Sequence, residues 1–301
     1  MDALKQRLGS DFVPEWCAVG ALVLLALVWI GLGPVTFTVK ANDFVYLALG
    51  PCAMLALRAL NFRKGGLIAE HFSLMVLAPT ALCVLAYLSL ASAGPLVDSR
   101  LMAMDRALGF DWLANHHFVD AHPVLRQVLK IAYGSPIAQC VYFSVFLGLL
   151  GHKDRLRDVF WLFVCGGLLT CLGGMLLPAL GPSKYYGLDA SFVPVMEHLL
   201  SGRDLTFSLS GMTGVVTFPS FHTTMALIFI WGFRGTGGAG WAMTGLNLAM
   251  LCAVPYFGGH YLTDMFAGAA VMPLSLAVVR GVPALGKFRI GSTGVAAPAP
   301  A

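Results

Sequence analysis

The sequence predicts an all-α protein that crosses a membrane several times as a helix bundle. Of its 301 residues, 58% are hydrophobic and only 11% are charged, whereas soluble domains average about a quarter charged residues. The mean hydropathy is +0.78, and the apolar residues fall into runs close to the roughly 20 residues that a membrane-spanning helix needs. The net charge of +4 comes without a long basic run, which argues against nucleic-acid binding.

Eight apolar segments are candidates for membrane helices. They cover approximately residues 17–34, 43–60, 67–93, 132–150, 158–180, 220–234, 241–257 and 260–280. Breaks at 62–66 and at the charged stretch 153–158 separate neighbouring segments. We expect a two-helix addition in 1–66, a six-helix core in 67–280 and a disordered tail of small residues and Pro in 281–301. The first run lacks the small-residue cleavage site of a signal peptide, so we interpret it as a helix.

The basic residues orient this bundle. With both termini in the cytoplasm, twelve of the 19 Lys and Arg residues fall on the cytoplasmic side, as the positive-inside rule favours. The long linkers 94–131 and 181–219 then lie on the outer face, periplasmic or luminal. The first contains amphipathic patterns at 96–108 and 124–131 that are typical of interfacial helices. The second has the length of a lid or binding loop, with a disordered loop as the alternative.

A polar motif, Phe218-Pro219-Ser220-Phe221-His222-Thr223, precedes the sixth segment. Ser220 is a favoured N-cap residue, and the first amides of the helix that follows would point towards any anion bound there. His222 would lie in the first turn, near that anion. The alternative is that Ser220 only caps the helix while His222 packs at the membrane interface.

A second motif, Gly258-Gly259-His260-Tyr261-Leu262-Thr263-Asp264, opens the eighth segment. His260 and Asp264 are spaced i, i+4 and share a helix face. The carboxylate would fix the imidazole tautomer and leave the other nitrogen free as nucleophile or base; a purely structural hydrogen bond is the alternative. His116 and Asp120 repeat the spacing in the first linker, where we interpret them as a solvated face. Two helices, the sixth and the seventh, lie between the two motifs, so His222, His260 and Asp264 can meet on the outer face.

The two motifs together resemble those of the type 2 phosphatidic acid phosphatase superfamily, and within it most those of the inositol phosphorylceramide synthase (aureobasidin-resistance) branch. The close match covers about residues 217–269, and six helices from 67 to 280 fit the family by topology. The resemblance implies that His260 attacks phosphorus to form a phosphohistidine, that Asp264 stabilises its imidazolium, and that His222 protonates the leaving oxygen and then activates the acceptor. It implies no metal and no cofactor, and the seven Cys residues show no metal-binding spacing.

The chain departs from the phosphatase members at two arginines. It has no Arg-Pro dipeptide, and Ala253-Val254 stands where those members carry Ser-Arg. A doubly charged terminal phosphate needs such bidentate clamps more than a singly charged diester does. We therefore expect transfer of a phospho-head group. The residues expected to bind substrate are Ser220, Lys184, Tyr185, Tyr256 and Gly259, with Lys184 as the replacement cation. The alternatives are that Lys184 is an ordinary outer-face lysine and that the tyrosines belong to the aromatic belt of the membrane interface.

Three functions follow from these patterns. The first is an integral membrane phosphotransferase that moves a phospho-head group from a phospholipid or sphingolipid to an alcohol. The second is a lipid or polyprenyl phosphate phosphatase that uses the same trio with water as acceptor. The third is a transporter or scaffold in which the His–Asp pair is a proton relay or a structural bond; the absence of internal repeats disfavours it. The bacterial inner membrane is the expected location.

Overall fold

Thirteen α-helices make up most of residues 9–281, the part of the chain that the computed structural model describes. In chain order they are α1 (Val13–Leu32), α2 (Ala41–Ala59), α3 (Arg63–Ala91), α4 (Asp98–Ala107), α5 (Trp112–Asp120), α6 (Pro123–Tyr133), α7 (Pro136–Leu149), α8 (Lys153–Leu176), α9 (Pro182–Tyr185), α10 (Val193–Ser201), α11 (Phe221–Gly232), α12 (Gly238–Phe257) and α13 (Leu262–Gly281). Apart from Gly281, the tail predicted to be disordered lies outside the described residues.

The predicted all-α membrane bundle is confirmed. A helix lies at each of the eight predicted segments, namely α1, α2, α3, α7, α8, α11, α12 and α13. Four of these, α1, α3, α8 and α13, are long and apolar enough to cross a membrane, and the pair α6–α7, bent by 53°, allows a fifth span. Judged by length and composition, the described residues therefore contain four or five spans rather than eight.

Three helix starts differ from the sequence expectation. α3 begins at Arg63, so most of the expected break at 62–66 is its first turn. Gly66 suits that turn because a Cβ there would lie 2.6 Å from Cγ of Arg58. α8 begins at Lys153, which makes the expected charged link part of the helix. α7 begins at Pro136 rather than near residue 132, because Pro is pre-organised for the first helical position and breaks the helix before it.

Both long linkers carry secondary structure. Residues 94–131 contain α4, α5 and most of α6, so the amphipathic patterns do mark helices. Residues 181–219 contain α9, α10, a 3₁₀ turn and strand β2 (Thr206–Ser208), which pairs in parallel with β1 (Thr36–Thr38). The sequence did not predict this strand pair, since three residues are too few for an alternating pattern.

α3 and α8 form the centre of the bundle. Within their apolar windows, 67% and 56% of the residues are buried. α3 packs against α1, α2, α7 and α8, and α8 packs against α11 and α13. Apolar side chains from several of these helices, such as Leu85, Phe160 and Phe229, form one core. This arrangement holds α11 and α13 side by side with their N-termini at the same end of the molecule.

Candidate active site

The start of α11 places His222 beside two unused amides. Ser220 is the N-cap residue, as predicted, and its side-chain oxygen accepts a hydrogen bond from the amide of Thr223 at 3.4 Å. Within residues 9–281, the amides of Phe221 and His222 have no hydrogen-bond acceptor. The first amides of a helix carry its positive dipole end and bind anions.

The start of α13 carries the His–Asp pair. Nδ1 of His260 lies 3.4 Å from Oδ2 of Asp264, and the same oxygen accepts the amide of Tyr261 at 2.8 Å. His260 is 4% exposed and Asp264 is fully buried. The other carboxylate oxygen of Asp264 has no partner among the described residues. Oδ2 of Asp264 thus faces Nδ1, and the backbone of Thr217 also lies close to the His260 ring.

Backbone and side-chain bonds between α11 and α13 bring the two motifs together. The amide of Ser220 donates to the carbonyl of Asp264 at 3.0 Å, and Oγ1 of Thr224 donates to the carbonyl of Gly268 at 2.8 Å. A side chain at Gly268 would collide with the carbonyl of Ser220, so glycine is required for this approach. As a result, the ring of His260 lies near the hydroxyl of Tyr133, which in turn lies 3.4 Å from Nδ1 of His222.

Tyr133, which the sequence analysis missed, orients His222. Its ring stacks on the His222 ring with a centroid distance of 4.2 Å and an angle of 14°. Its hydroxyl lies 3.4 Å from Nδ1 of His222. A Cβ at Gly258 would contact both this hydroxyl and the ring of His260, so Gly258 leaves room for all three groups. Tyr133 ends α6, and nothing in the local pattern marks it.

Asp105 on α4 caps the N-terminus of α13 from a neighbouring helix. It was not among the residues predicted from the sequence. Its carboxylate accepts from the amides of Leu262 and Thr263 at 2.8 and 2.9 Å, and from the hydroxyl of Thr263 at 2.6 Å. Buried carboxylates at helix N-termini are stabilising because they satisfy amides that lack an intrahelical partner. Asp105 therefore fixes the helix start that carries His260 and Asp264.

Asp98, seven residues earlier on the same helix, ties the second linker to this end of the bundle. It accepts from the amide of Gly181 at 2.8 Å, from the amide of Leu180, and from the hydroxyl of Tyr261 at 3.0 Å. Two Asp residues spaced i, i+7 share a helix face. This spacing, inside a pattern recognised as amphipathic, is the signal that could have revealed both.

Gly259 has a steric role. Its φ of +56° is in the left-handed region, and a Cβ there would lie 2.6 Å from Phe192 and 3.0 Å from Oγ of Ser183. Gly181, at φ +92°, packs against the carbonyl of Gly259. The start of α9 therefore rests directly on the loop that carries His260.

The two cations near α9 differ in their partners. Lys184 is 51% exposed and forms an ion pair with Glu197 at 2.5 Å. Tyr185 is exposed and lies edge-on to Tyr186. The guanidinium of Arg106, absent from the sequence-based candidates, lies close to the hydroxyls of these two tyrosines, which raise its pKa. Arg106 directly follows Asp105, so its positive charge lies at the same end of the molecule as the trio.

Tyr256 contacts the second His–Asp pair. Its ring stacks on His116 with a centroid distance of 4.7 Å, and its hydroxyl donates to Asp120. Asp120 also pairs with His116 at 3.2 Å and with Arg126 at 3.4 Å. The pair expected to form a solvated face is half-exposed and belongs to an aromatic and charged cluster. In residues 9–281, no group of three His, Cys, Asp or Glu side chains is arranged to hold a metal ion.

A buried His–Asp pair beside a second histidine, at the ends of helices in a membrane bundle, defines a membrane protein with a candidate catalytic site. The family model of the PAP2 superfamily matches residues 99–278, more than half of the chain, so the protein belongs to the PAP2 superfamily. No curated protein and no solved structure matches the chain. The predicted superfamily is thus confirmed, and membership supports a phosphatase- or phosphotransferase-type function on lipids.

Proposed function

We propose that the protein is an integral membrane phosphotransferase, similar to the inositol phosphorylceramide synthase branch, that moves a phospho-head group between a lipid and an alcohol. The observation that carries this proposal is the junction of α11 and α13, where the bond between Ser220 and Asp264 brings His222 next to His260. Catalysis by a nucleophile and a separate proton donor requires this kind of proximity.

In the first step, Nε2 of His260 uses its lone pair to form a bond to phosphorus while the bond from phosphorus to the leaving oxygen breaks. Asp264 holds Nδ1 and stabilises the imidazolium that forms. His222, oriented by Tyr133, gives a proton to the leaving oxygen. In the second step, His222 removes a proton from the acceptor alcohol, whose oxygen attacks phosphorus as the bond to His260 breaks. Overall, one phosphodiester and one alcohol react to give a new phosphodiester and a new alcohol.

The charges near the site suit a singly charged phosphodiester. The two unused amides at the start of α11 can bind one phosphate oxygen. Glu197 already forms an ion pair with Lys184, whereas no carboxylate among residues 9–281 pairs with Arg106, so the charge of Arg106 is available to an anion. A phosphomonoester, with about two negative charges, would need further cations. Lys184, Tyr185 and Tyr256 remain proposed substrate contacts at the rim.

The second candidate is a lipid phosphatase, which the superfamily match supports as well. The same two steps apply, except that water replaces the alcohol in the second. The burial of His260 and Asp264 does not distinguish the two acceptors. The depth of the site favours the transferase, because α11 has 12 residues and is about 18 Å long, so His222 would lie below the outer membrane surface, away from bulk water.

The test is turnover of labelled phospholipids by the purified protein, resolved by thin-layer chromatography with and without an acceptor alcohol. We expect a new lipid product only when the alcohol is present, inhibition by vanadate, and full activity in EDTA. His260→Ala should lower turnover by at least about 10³-fold, because it removes the nucleophile.

His116→Ala is the matched control, since it removes a histidine of the same spacing that lies outside the trio. It should leave turnover within about threefold of wild type. A fully active His260→Ala protein would contradict the catalytic assignment. Release of free phosphate alone, in the presence of acceptor, would favour the phosphatase.

A further inference from the structure

A cavity of about 750 Å³ lies between the N-terminal helices and the core, on the side of α11 next to the candidate site. Its walls come from the first turns of α2, from α3, from the start of α7 and from the start of α11. This volume falls in the range of about 300–1,000 Å³ that small-molecule sites occupy.

The cavity borders the helix starts that carry the candidate site. Phe221 lines it and immediately precedes His222 in α11. Pro136 also lines it, three residues after Tyr133, the residue that stacks on His222. A molecule in the cavity would therefore lie next to the first turn of α11, which carries His222.

The shape of the cavity matches one leaflet of a bilayer. On α3 it extends from Phe72 to Cys83, which corresponds to about 16 Å along the helix axis. Half of the hydrocarbon core of a membrane is about 15 Å. Its inner wall is formed by buried side chains, including Met75 and Phe163, whereas Tyr46 and Ile137 at its edge are 58% and 76% exposed. The cavity thus opens sideways, towards the lipid that would surround the bundle.

The lining excludes a charged ligand. Asp43 is its charged residue, and the carboxylate of Asp43 already accepts the amide of Lys40 at 2.8 Å as part of the cap of α2. The remaining lining side chains are apolar or weakly polar. A hydrocarbon chain fits this lining, and the phosphate attached to it would lie at the start of α11.

We propose that this lateral pocket binds one hydrocarbon chain of the lipid substrate and selects its length. α2 and α3, which form two of its walls, lie outside the residues 99–278 that match the superfamily. Because the chain enters from lipid and not from water, burial in the pocket gains little hydrophobic free energy. The pocket therefore selects by chain length, because a chain that fills it holds the attached phosphate at the start of α11. The inference rests on the proposed function only in naming this chain as part of the substrate.

The first experiment tests occupancy without requiring turnover. The full-length protein in lipid nanodiscs is irradiated with a phosphatidylglycerol, a phosphodiester lipid, that carries a diazirine on one acyl chain, and the labelled residues are mapped by mass spectrometry. We expect labels on α2, α3 and α7 within the pocket. Leu47→Trp, which fills the pocket from α2, should lower this labelling by about tenfold, the equivalent of about 1.4 kcal/mol.

Leu49→Trp is the matched control, because Leu49 is on the same helix but faces outwards. It should leave the labelling unchanged. If Leu47→Trp fails to fold, Cys140→Phe and Val141→Phe form an equivalent pair on α7, in which Cys140 lines the pocket and Val141 is exposed. Equal labelling in both members of a folded pair, or labels spread evenly over the lipid-facing surface, would overturn the proposal.

The second experiment compares phospholipids with long and with six-carbon chains as substrates. Leu47→Trp should lower turnover of the long-chain lipid by about tenfold and spare the short one, whose chains do not fill the pocket. Equal loss on both lipids would contradict selection by length. If the wild-type protein turned over neither lipid, the proposed function would fail, and the labelling result would still decide the pocket.

Discussion

Two His–Asp pairs in this chain share the spacing i, i+4 but not their surroundings. His260 and Asp264 lie 3.4 Å apart, with side chains that are 5% and 0% exposed. His116 and Asp120 lie 3.2 Å apart, with side chains that are 19% and 39% exposed. The helix sets the distance in both cases.

The difference lies in what else each carboxylate binds. Asp120 is shared with Arg126 and with the hydroxyl of Tyr256, so little of its charge is directed to His116. Asp264 receives an amide and the imidazole, and no cation contacts it within residues 9–281. Burial strengthens an electrostatic interaction that has no competing partner. A His–Asp pair therefore becomes reactive through its neighbours, and not through its spacing.

The largest expected effect comes from neutralising each carboxylate in turn. Asp264→Asn should lower turnover by about 10³- to 10⁴-fold, because the amide no longer stabilises the imidazolium and favours the wrong tautomer. Asp120→Asn should change turnover by no more than about threefold. Steady-state rates on the same labelled lipid give both numbers, with size-exclusion profiles to show that both variants fold. Comparable losses in the two variants would mean that the exposed pair also takes part in catalysis.

A smaller effect is expected from the support beneath the buried pair. Asp105→Asn keeps the shape of the side chain but offers one oxygen for the two amides of α13, so it leaves a buried donor unsatisfied. This should destabilise the protein by about 1–3 kcal/mol and lower kcat by about tenfold through displacement of His260, with little change in KM.

Asp111→Asn is the control for Asp105→Asn, because Asp111 caps α5 by accepting the amide of Ala114 at 2.9 Å. Asn is as good an N-cap as Asp, so this variant should keep wild-type kcat and unfold at nearly the same temperature. A normal kcat for Asp105→Asn would show that Asp105 does not position His260.

The fold could largely be predicted because its signals are local. Apolar runs located the eight helices, and the positions of Ser220 and His222 at the start of α11 followed from capping preferences. The errors at Arg63 and Lys153 arose because each helix extends past its apolar run into charged residues. The error at Pro136 arose because the proline ends one helix and begins the next within a single apolar run. The topology, with both termini cytoplasmic and the trio on the outer face, stays a prediction.

The site could be predicted only where its residues lie in sequence motifs. His222, His260 and Asp264 do, and they converge. Two residues of α4, Asp98 and Asp105, bind the loop that precedes α13, and Tyr133 of α6 contacts the ring of His222. Each of these contacts joins residues about 90 to 160 positions apart in the sequence. Hydropathy and local spacing do not encode such distant partners. The contact of Tyr256 with substrate stays a prediction, and its hydroxyl donates to Asp120, a bond that the neighbouring motif did not indicate.

The smallest expected effect is the pH dependence of the exposed pair. Burial lowers the pKa of His116 below its usual 6.5, and the charge of Asp120 opposes this by raising it, while His117 lowers it further. Because the pKa of His116 is lower in the folded state than in the unfolded state, folding favours the neutral ring. The contribution of His116 to stability is therefore complete above about pH 6.5 and is lost as the pH falls through the pKa of the folded state.

Between about pH 7 and pH 5, Asp120→Asn should therefore steepen the fall in the thermal unfolding midpoint by about 1–2 °C, because it removes the opposing charge. His116→Phe, which preserves the stacking on Tyr256, should flatten the same profile. A steeper profile in both variants, measured by thermal shift in detergent, would place the titrating group elsewhere.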